Sequence, residues 1–169
     1  EEIVDNFVLS TWDQDDLYQQ SLIMSDGSLA LAGCGPVAIG QVMRYYEYPS
    51  YFNWASMLLT KGCKNTSDLL LDIINRAGAT LGINGTPVNT NQMLTAMRSY
   101  EYNMSNGNHN FSTIRQNIRL GKPVILMAKY FKQNGEETGH AWVASGMKCI
   151  TELIQDEVWT FTGKRTFEC

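Results

Sequence analysis

The sequence predicts an α+β fold, with helices in the first part of the chain and strands in the second. Apolar residues recur at helical spacing between residues 34 and 120, and the pattern then changes to a continuous apolar run after Pro123. Because strands follow the helices rather than alternate with them, a doubly wound parallel sheet is not expected. The length of 169 residues suits one domain, which we assign to residues 1–169.

Residues 1–33 are predicted to be extended or irregular. Asp26-Gly27 is a turn signal within that stretch. The first predicted helix begins at Cys34 and ends before Pro49. Pro36 suits the first turn of a helix, where the N–H that proline lacks would have no partner. The positions at helical spacing on one face are Val37, Ala38, Gln41, Val42 and Tyr45.

Three further helices are predicted over residues 67–77, 90–100 and 112–120. Ser67 is expected to cap the first of them, while Gly78 and Gly121 mark two of the ends. The side chains expected to face inward are Leu70, Leu71, Ile73, Ile74, Met93, Leu94, Met97, Ile114 and Ile118.

Strand patterns fill the rest of the chain. Residues 124–128 are apolar throughout, which predicts a buried strand, and Asn134-Gly135 predicts a hairpin turn after it. Residues 140–144 form the predicted returning strand, with His140 at its start. Residues 158–161 and 165–169 also read as strands.

Composition excludes several function classes. The net charge is −4 without a Lys/Arg cluster, which argues against nucleic acid or an anionic membrane as partner. No apolar run approaches the roughly 20 residues of a membrane span. The four cysteines form no Cys-x-x-Cys pair, and phosphate-loop and dinucleotide-binding motifs are missing. We therefore expect neither a metal site nor a cofactor.

Cys34 is the first candidate for catalysis. Unpaired N–H groups and the dipole at a helix start stabilise a thiolate, which is the nucleophilic form of cysteine. Its small neighbours Gly33 and Gly35 would let a substrate backbone approach closely. A buried structural cysteine is the alternative explanation.

His140 is the candidate base, because a histidine on a strand opposite a helix-borne cysteine can form a thiolate–imidazolium pair. The rival base is His109, in a polar loop where an exposed histidine is the simpler interpretation. Gln14 is a candidate donor to the oxyanion of acyl transfer, together with the backbone N–H of Cys34.

Several of these motifs resemble the streptopain family, the papain-fold cysteine peptidases of secreted bacterial proteins. The matching segments are spread over most of the chain and occur in the same order as in the family. The matching segments are Trp12-Asp13-Gln14 with Tyr18-Gln19, Leu31-Ala32-Gly33-Cys34 with Gln41-Val42-Met43-Arg44-Tyr45-Tyr46 and Tyr48-Pro49, Phe52-Asn53-Trp54-Ala55-Ser56-Met57, Gly121-Lys122-Pro123-Val124, and Gly139-His140-Ala141-Trp142-Val143 with Gly146.

The resemblance implies a papain-like fold, with a helical half carrying Cys34 and a sheet or barrel half carrying His140. It implies an endopeptidase in which Cys34 is the nucleophile, His140 the base and acid, and Gln14 the oxyanion donor. Gly33, Gly139 and Trp142 are expected to contact peptide or protein substrates. The resemblance also implies a secreted, periplasmic or cell-surface bacterial protein, made as a zymogen whose N-terminal pro-segment acts as an intramolecular inhibitor.

Two features depart from the family pattern. The family has an Asn-Trp-Gly-Trp-Gly motif after the histidine strand, and only Asp156 and Trp159 occur in the corresponding segment here. We therefore expect the C-terminal part of the barrel to be missing from this chain. Either that part is cut, disordered or supplied by a separate C-terminal fragment that completes the fold, or the chain is a degenerate member of the family. Leu17 also stands before Tyr18, where the family usually has proline.

Two alternative functions stay open. Bacteriocin-leader-processing peptidases share a Cys-Gly-Pro helix start, but their oxyanion glutamine lies a few positions before the cysteine, where this chain has Ser28. A non-catalytic secreted binding module on a degenerate peptidase scaffold is the second alternative. The intact cysteine and histidine motifs argue against it, whereas the missing C-terminal motif argues for it.

Overall fold

The computed structural model describes residues 1–14, 16–131, 133–135 and 137–150, together with the strands over residues 155–160 and 163–168. Apart from a three-residue strand at Glu2–Val4, the helices precede the strands in this part of the chain, and the predicted α+β class is confirmed. The helices are α1 (Cys34–Tyr46), α2 (Lys64–Arg76), α3 (Thr90–Ser99) and α4 (Phe111–Arg119). The strands are β1 (Glu2–Val4), β2 (Val124–Phe131), β3 (Glu137–Ala144), β4 (Met147–Cys149), β5 (Gln155–Thr160) and β6 (Gly163–Glu168).

The strands form antiparallel pairs, β1 with β4, β2 with β3, and β5 with β6. The β2–β3 hairpin places Ala128 opposite His140, and Gly135 takes a positive φ of 81° in the predicted turn. Glu2 pairs with Cys149, so the first strand lies beside the segment that follows β3. The sequence-predicted strands near residues 158 and 165 correspond to β5 and β6, whereas Phe161 and Cys169 lie outside the described residues.

The core lies among α1, α2 and α3. Burial of apolar surface drives this packing, and α1 also packs against β3. The large side chains that are fully enclosed include Leu22, Ile39, Met43, Leu69, Leu70, Ile73, Ile74 and Met93. Among the described residues, no helix has both the length and the apolar character needed to span a bilayer.

The predicted helices are all present, but Ser67 is not the cap of α2. This helix begins at Lys64, three residues earlier than predicted, and Cys63 occupies the cap position without a side-chain cap. Ser67 is buried, and its hydroxyl accepts a hydrogen bond from the N–H of Ser21 at 2.8 Å. The hydroxyl that resembled a cap therefore serves a contact to a distant segment.

Strand β2 is less buried than its apolar run predicted. Residues 124–126 are half-buried, while Met127 is 44% exposed and Ala128 is also exposed. Within the described part of the chain β2 pairs with β3 alone, and it also contacts α4. His140 is the fourth residue of β3, not its first as predicted, because this strand begins at Glu137.

Candidate active site

Cys34 is the first residue of α1. Its side chain is half-buried, and the first turn of the helix holds no acidic residue. The N–H groups of a first helical turn lack intrahelical acceptors and carry partial positive charge. The sulfur of Cys34 therefore lies at the end of the helix where N–H groups are unpaired, and no carboxylate belongs to that turn.

The strand β3 reaches Cys34 through its backbone. The N–H of Ala141 donates to Cys34 Sγ at 3.3 Å, and Ala141 itself is buried at the contact between α1 and β3. This N–H adds a donor to the sulfur from outside the helix. His140 immediately precedes Ala141, so the fold brings the helix of the predicted nucleophile and the strand of the predicted base into direct contact.

His140 is exposed beside that contact and stacks on Trp142. The two rings are nearly parallel, with 5.9 Å between centroids and 18° between planes. Alternate residues of a strand share one face, which explains why these two side chains meet. Trp142 is 39% exposed and limits the orientations open to the imidazole. The rival base, His109, is exposed in the loop before α4.

A loop of the same chain covers the glycines beside Cys34. A Cβ on Gly33 would lie 2.3 Å from the carbonyl oxygen of Thr86, and one on Gly35 would lie 2.1 Å from Val88 Cγ2. The Thr86 hydroxyl also donates to the carbonyl oxygen of Leu31 at 2.8 Å. The space at these glycines was predicted to admit a substrate backbone, but the loop at Thr86 and Val88 fills the side where a Cβ would stand.

Gln14 lies at a bend and its side chain is half-buried. The backbone just before it is fastened to α1, because Gln41 Nε2 donates to the carbonyl oxygens of Ser10 at 3.0 Å and Trp12 at 3.2 Å. Sequence reasoning put Gln41 on the apolar face of the helix and gave it no role. A polar side chain among apolar neighbours was the available signal.

The segment after β3 is anchored to residues 6–8. The hydroxyl of Ser145 donates to Asn6 Oδ1 and accepts from the N–H of Val8 at 3.3 Å, while the Phe7 N–H donates to the Ser145 carbonyl. This anchoring fixes the end of the strand that carries His140, and nothing in the local sequence signalled it.

The other described cysteines lie elsewhere. Cys63, at the start of α2, donates its thiol to the carbonyl of Ser56 at 3.4 Å, and Cys149 ends β4. Cys34, Cys63 and Cys149 are all free thiols, while Cys169 lies outside the described residues. Among the described residues, no group of three or more His, Cys, Asp or Glu side chains converges as metal ligands would.

Comparison with known proteins finds similarity to a peptidase family and to solved structures. Residues 12–68 match the model of the Peptidase C10 family, the streptopain family, which confirms the resemblance seen in the sequence. The matched segment contains Gln14 and Cys34 and ends before His140. No curated protein matches the chain.

The solved structures with a similar fold include two from Prevotella intermedia. Active wild-type interpain A, a cysteine protease, is 18% identical with a TM-score of 0.73, over 86% of this chain and 77% of that one. A prointerpain A fragment is 16% identical with a TM-score of 0.69, over 85% of this chain and 58% of that one. This similarity confirms the papain-like fold. Together with the family match, it supports cysteine-type peptidase activity.

Proposed function

We propose that this chain is a secreted bacterial cysteine endopeptidase with Cys34 as nucleophile, His140 as base and acid, and Gln14 as oxyanion donor. The observation that carries the proposal is the 3.3 Å contact between the Ala141 N–H and Cys34 Sγ. It joins two segments that lie far apart in the sequence, and it does so beside the histidine. A nucleophile on a helix start and a base on an adjacent strand are the parts that thiol acyl transfer requires.

The reaction proceeds in two halves. In the first, the Cys34 thiolate attacks the scissile carbonyl carbon, and the imidazolium of His140 gives its proton to the leaving amine as the C–N bond breaks. A thioester between Cys34 and the acyl half of the substrate remains. In the second, His140 takes a proton from water, the water oxygen attacks the thioester, and the acid is released with the thiolate restored.

The oxyanion formed in each half needs preorganised N–H donors. The backbone N–H of Cys34 is one, because the first residues of a helix have no intrahelical acceptor for it. The Gln14 amide is the second. Support comes from the position of Trp12, whose ring lies against Gly40 of α1, only two residues before Gln14.

Peptides and proteins are the proposed substrates, with Gly33, Gly139 and Trp142 lining the cleft. Exposure of Gly139 and Trp142 beside His140 supports this assignment for the strand side. The neighbour named prointerpain A supports a zymogen whose pro-segment occupies the cleft before removal.

A peptidyl electrophile that forms a thioether with an active thiol tests the nucleophile. We expect the wild type and Cys63→Ala to be labelled once per chain, and Cys34→Ala to be unlabelled, by intact mass and peptide mapping. Cys63 is a matched control because it is also a half-buried free thiol at a helix start. Equal labelling of Cys34, Cys63 and Cys149 would contradict peptidase function and favour the binding-module alternative.

Replacement of the base tests the second assignment. We expect His140→Ala to lower kcat for peptide hydrolysis by at least about 10³-fold, close to the loss in Cys34→Ala, because the paired residues act as a unit. His109→Ala is the control and should keep wild-type kcat. The reverse result, with the loss in His109→Ala, would reassign the base.

A further inference from the structure

We infer that Gln41 is a positioning residue for catalysis, holding the backbone before Gln14 so that the Gln14 amide faces the oxyanion. The inference rests on the proposed role of Gln14. Gln41 itself lies two helical turns beyond Cys34, about 10.5 Å along the axis and on the same face. One helix would therefore carry the nucleophile and also set the position of the second oxyanion donor.

The hydrogen bonds of Gln41 are directional. Its amide NH₂ carries two hydrogens, and the two acceptors are the carbonyl oxygens of Ser10 at 3.0 Å and Trp12 at 3.2 Å. Only the nitrogen end of the amide can satisfy two carbonyl oxygens, so the orientation of the side chain follows from its partners. Both hydrogens are committed to the segment that leads into Gln14.

The opposite side of the same segment is also fixed. The Thr11 N–H donates to the carbonyl oxygen of Leu59 at 2.8 Å, and Trp12 Nε1 donates to that of Leu58 at 2.7 Å. Trp12 is only 4% exposed. Residues 10–12 are thus held between α1 and the 58–59 segment, and Gln41 provides the hydrogen bonds from α1.

If the Gln41 side chain served only to pack on this helix face, its amide would lower the stability of the fold compared with an apolar side chain. The neighbouring positions on the face are Val37, Ala38 and Val42, all of them buried. Removing an amide from water costs free energy unless its hydrogen bonds are replaced. An apolar residue of similar size would pack here, but it would leave the Ser10 and Trp12 carbonyls without these donors and free the segment to shift.

The variant Gln41→Met in the full chain tests the inference through two rates measured on the same protein. Hydrolysis of a chromogenic peptide passes through an oxyanion, whereas alkylation of Cys34 by iodoacetamide does not. We expect kcat to fall at least about tenfold, part of the loss seen when an oxyanion donor is removed, with KM and the alkylation rate each within about twofold of wild type.

Tyr45→Phe is the matched control. Tyr45 lies one turn further along α1, and its hydroxyl donates to the carbonyl oxygen of Gly121 at 3.1 Å, in the segment that follows α4. We expect this variant to keep kcat. Gln41→Glu is the second test variant, because it keeps size and polarity while replacing the donor NH₂ with an acceptor. It should show the same split between kcat and alkylation.

The double variant Gln14→Ala/Gln41→Met decides whether the two residues act together. We expect it to be no slower than Gln14→Ala alone, since Gln41 acts through Gln14. Losses that multiply in the double variant, a parallel fall in alkylation, or unchanged kcat in both Gln41 variants would each overturn the inference. A wild-type chain that neither hydrolyses peptides nor reacts with peptidyl electrophiles would instead overturn the proposed function itself, and this inference with it.

Discussion

Gly33 determines how closely the loop at Thr86 can approach the helix start that carries Cys34. Its φ of 81° is in the region that L side chains rarely adopt, and the Thr86 carbonyl oxygen occupies the place of its missing Cβ. Two separate penalties therefore face any other residue here. One is backbone strain, and the other is a collision with main-chain atoms that cannot rotate away.

Comparison of Gly33→Ala with Gly27→Ala separates these penalties. Gly27 has a similar φ of 84° but nothing within 4 Å of its Cβ position. We expect Gly27→Ala to lose about 1–2 kcal/mol in the free energy of unfolding from strain alone. Gly33→Ala should lose a further ~1–3 kcal/mol from the collision. Urea denaturation measures both, and equal losses would mean that the Thr86 loop accommodates a methyl group freely.

Features that depend on neighbouring residues could be predicted from the sequence. Features that depend on a partner far along the chain could not. Pro36 and the glycines around Cys34 are helix-start signals within a few residues, and α1 begins where they indicate. Ser67 carried a similar signal, but its hydroxyl is used by Ser21, 46 residues away. The role of Gln41 depends on Ser10 and Trp12 in the same way. A local sequence window does not contain such partners.

At the scale of elements, β1 is attached to α4 by one carboxylate between two arginines. Glu2 accepts hydrogen bonds from Arg119 Nη2 at 2.6 Å and Arg115 Nε at 2.8 Å. Hydrogen bonds from Arg119 and then Arg115 lower the pKa of the Glu2 carboxyl to about 2. A depressed pKa means that the folded state favours the charged form, so this attachment stabilises the fold only while Glu2 is ionised.

The pH dependence of stability should reveal this attachment. The contribution of Glu2 is fully present above its unfolded pKa of about 4.3 and is lost as pH falls toward about 2. We therefore expect the melting temperature of Glu2→Gln to lie below wild type at pH 7 and to converge with it near pH 2. Glu1→Gln is the control, because Glu1 pairs with the single exposed Lys148 and should change the melting temperature less. A gap independent of pH would contradict the ionic origin.

Burial could be predicted from the sequence for the helices but not for strand β2. The helices bury stripes that recur every three to four residues, and Met93, Leu94 and Met97 of α3 are buried as expected. The apolar run of β2 was interpreted as buried because such runs are typical of strands covered on both faces. Burial of a strand depends on what its neighbours are, and Met127 stays 44% exposed in the described structure.

At the scale of the whole molecule, the helical core should carry most of the stability. Ile73 of α2 is fully buried, whereas Ile83 is 60% exposed. We expect Ile73→Ala to lose about 2–5 kcal/mol in the free energy of unfolding through a cavity in the core. Ile83→Ala should stay within about 0.5 kcal/mol of wild type. Similar losses in the two variants would mean that the core does not lie where the structure has it.

The order of helices and strands along the sequence predicted the fold class. It did not predict which distant segments of the chain come into contact. A three-residue strand such as β1 has too little pattern to be recognised, and its pairing with β4 depends on residues more than 140 positions away. The contact between Ala141 and Cys34 is similarly remote in sequence. Motif resemblance, rather than periodicity, predicted that the segments carrying Cys34 and His140 would lie close together.

The pairing of residues 2–8 with residues 145–149 has a consequence during synthesis. A ribosome makes Cys34 and the helices first, and residues 145–149 emerge after them. Domains generally fold as units when their chain becomes available. A nascent chain that ends at α4 contains neither His140 nor the partner of β1. The Cys34 thiol is therefore made well before His140, so the growing chain lacks the proposed catalytic pair until β3 has been synthesised.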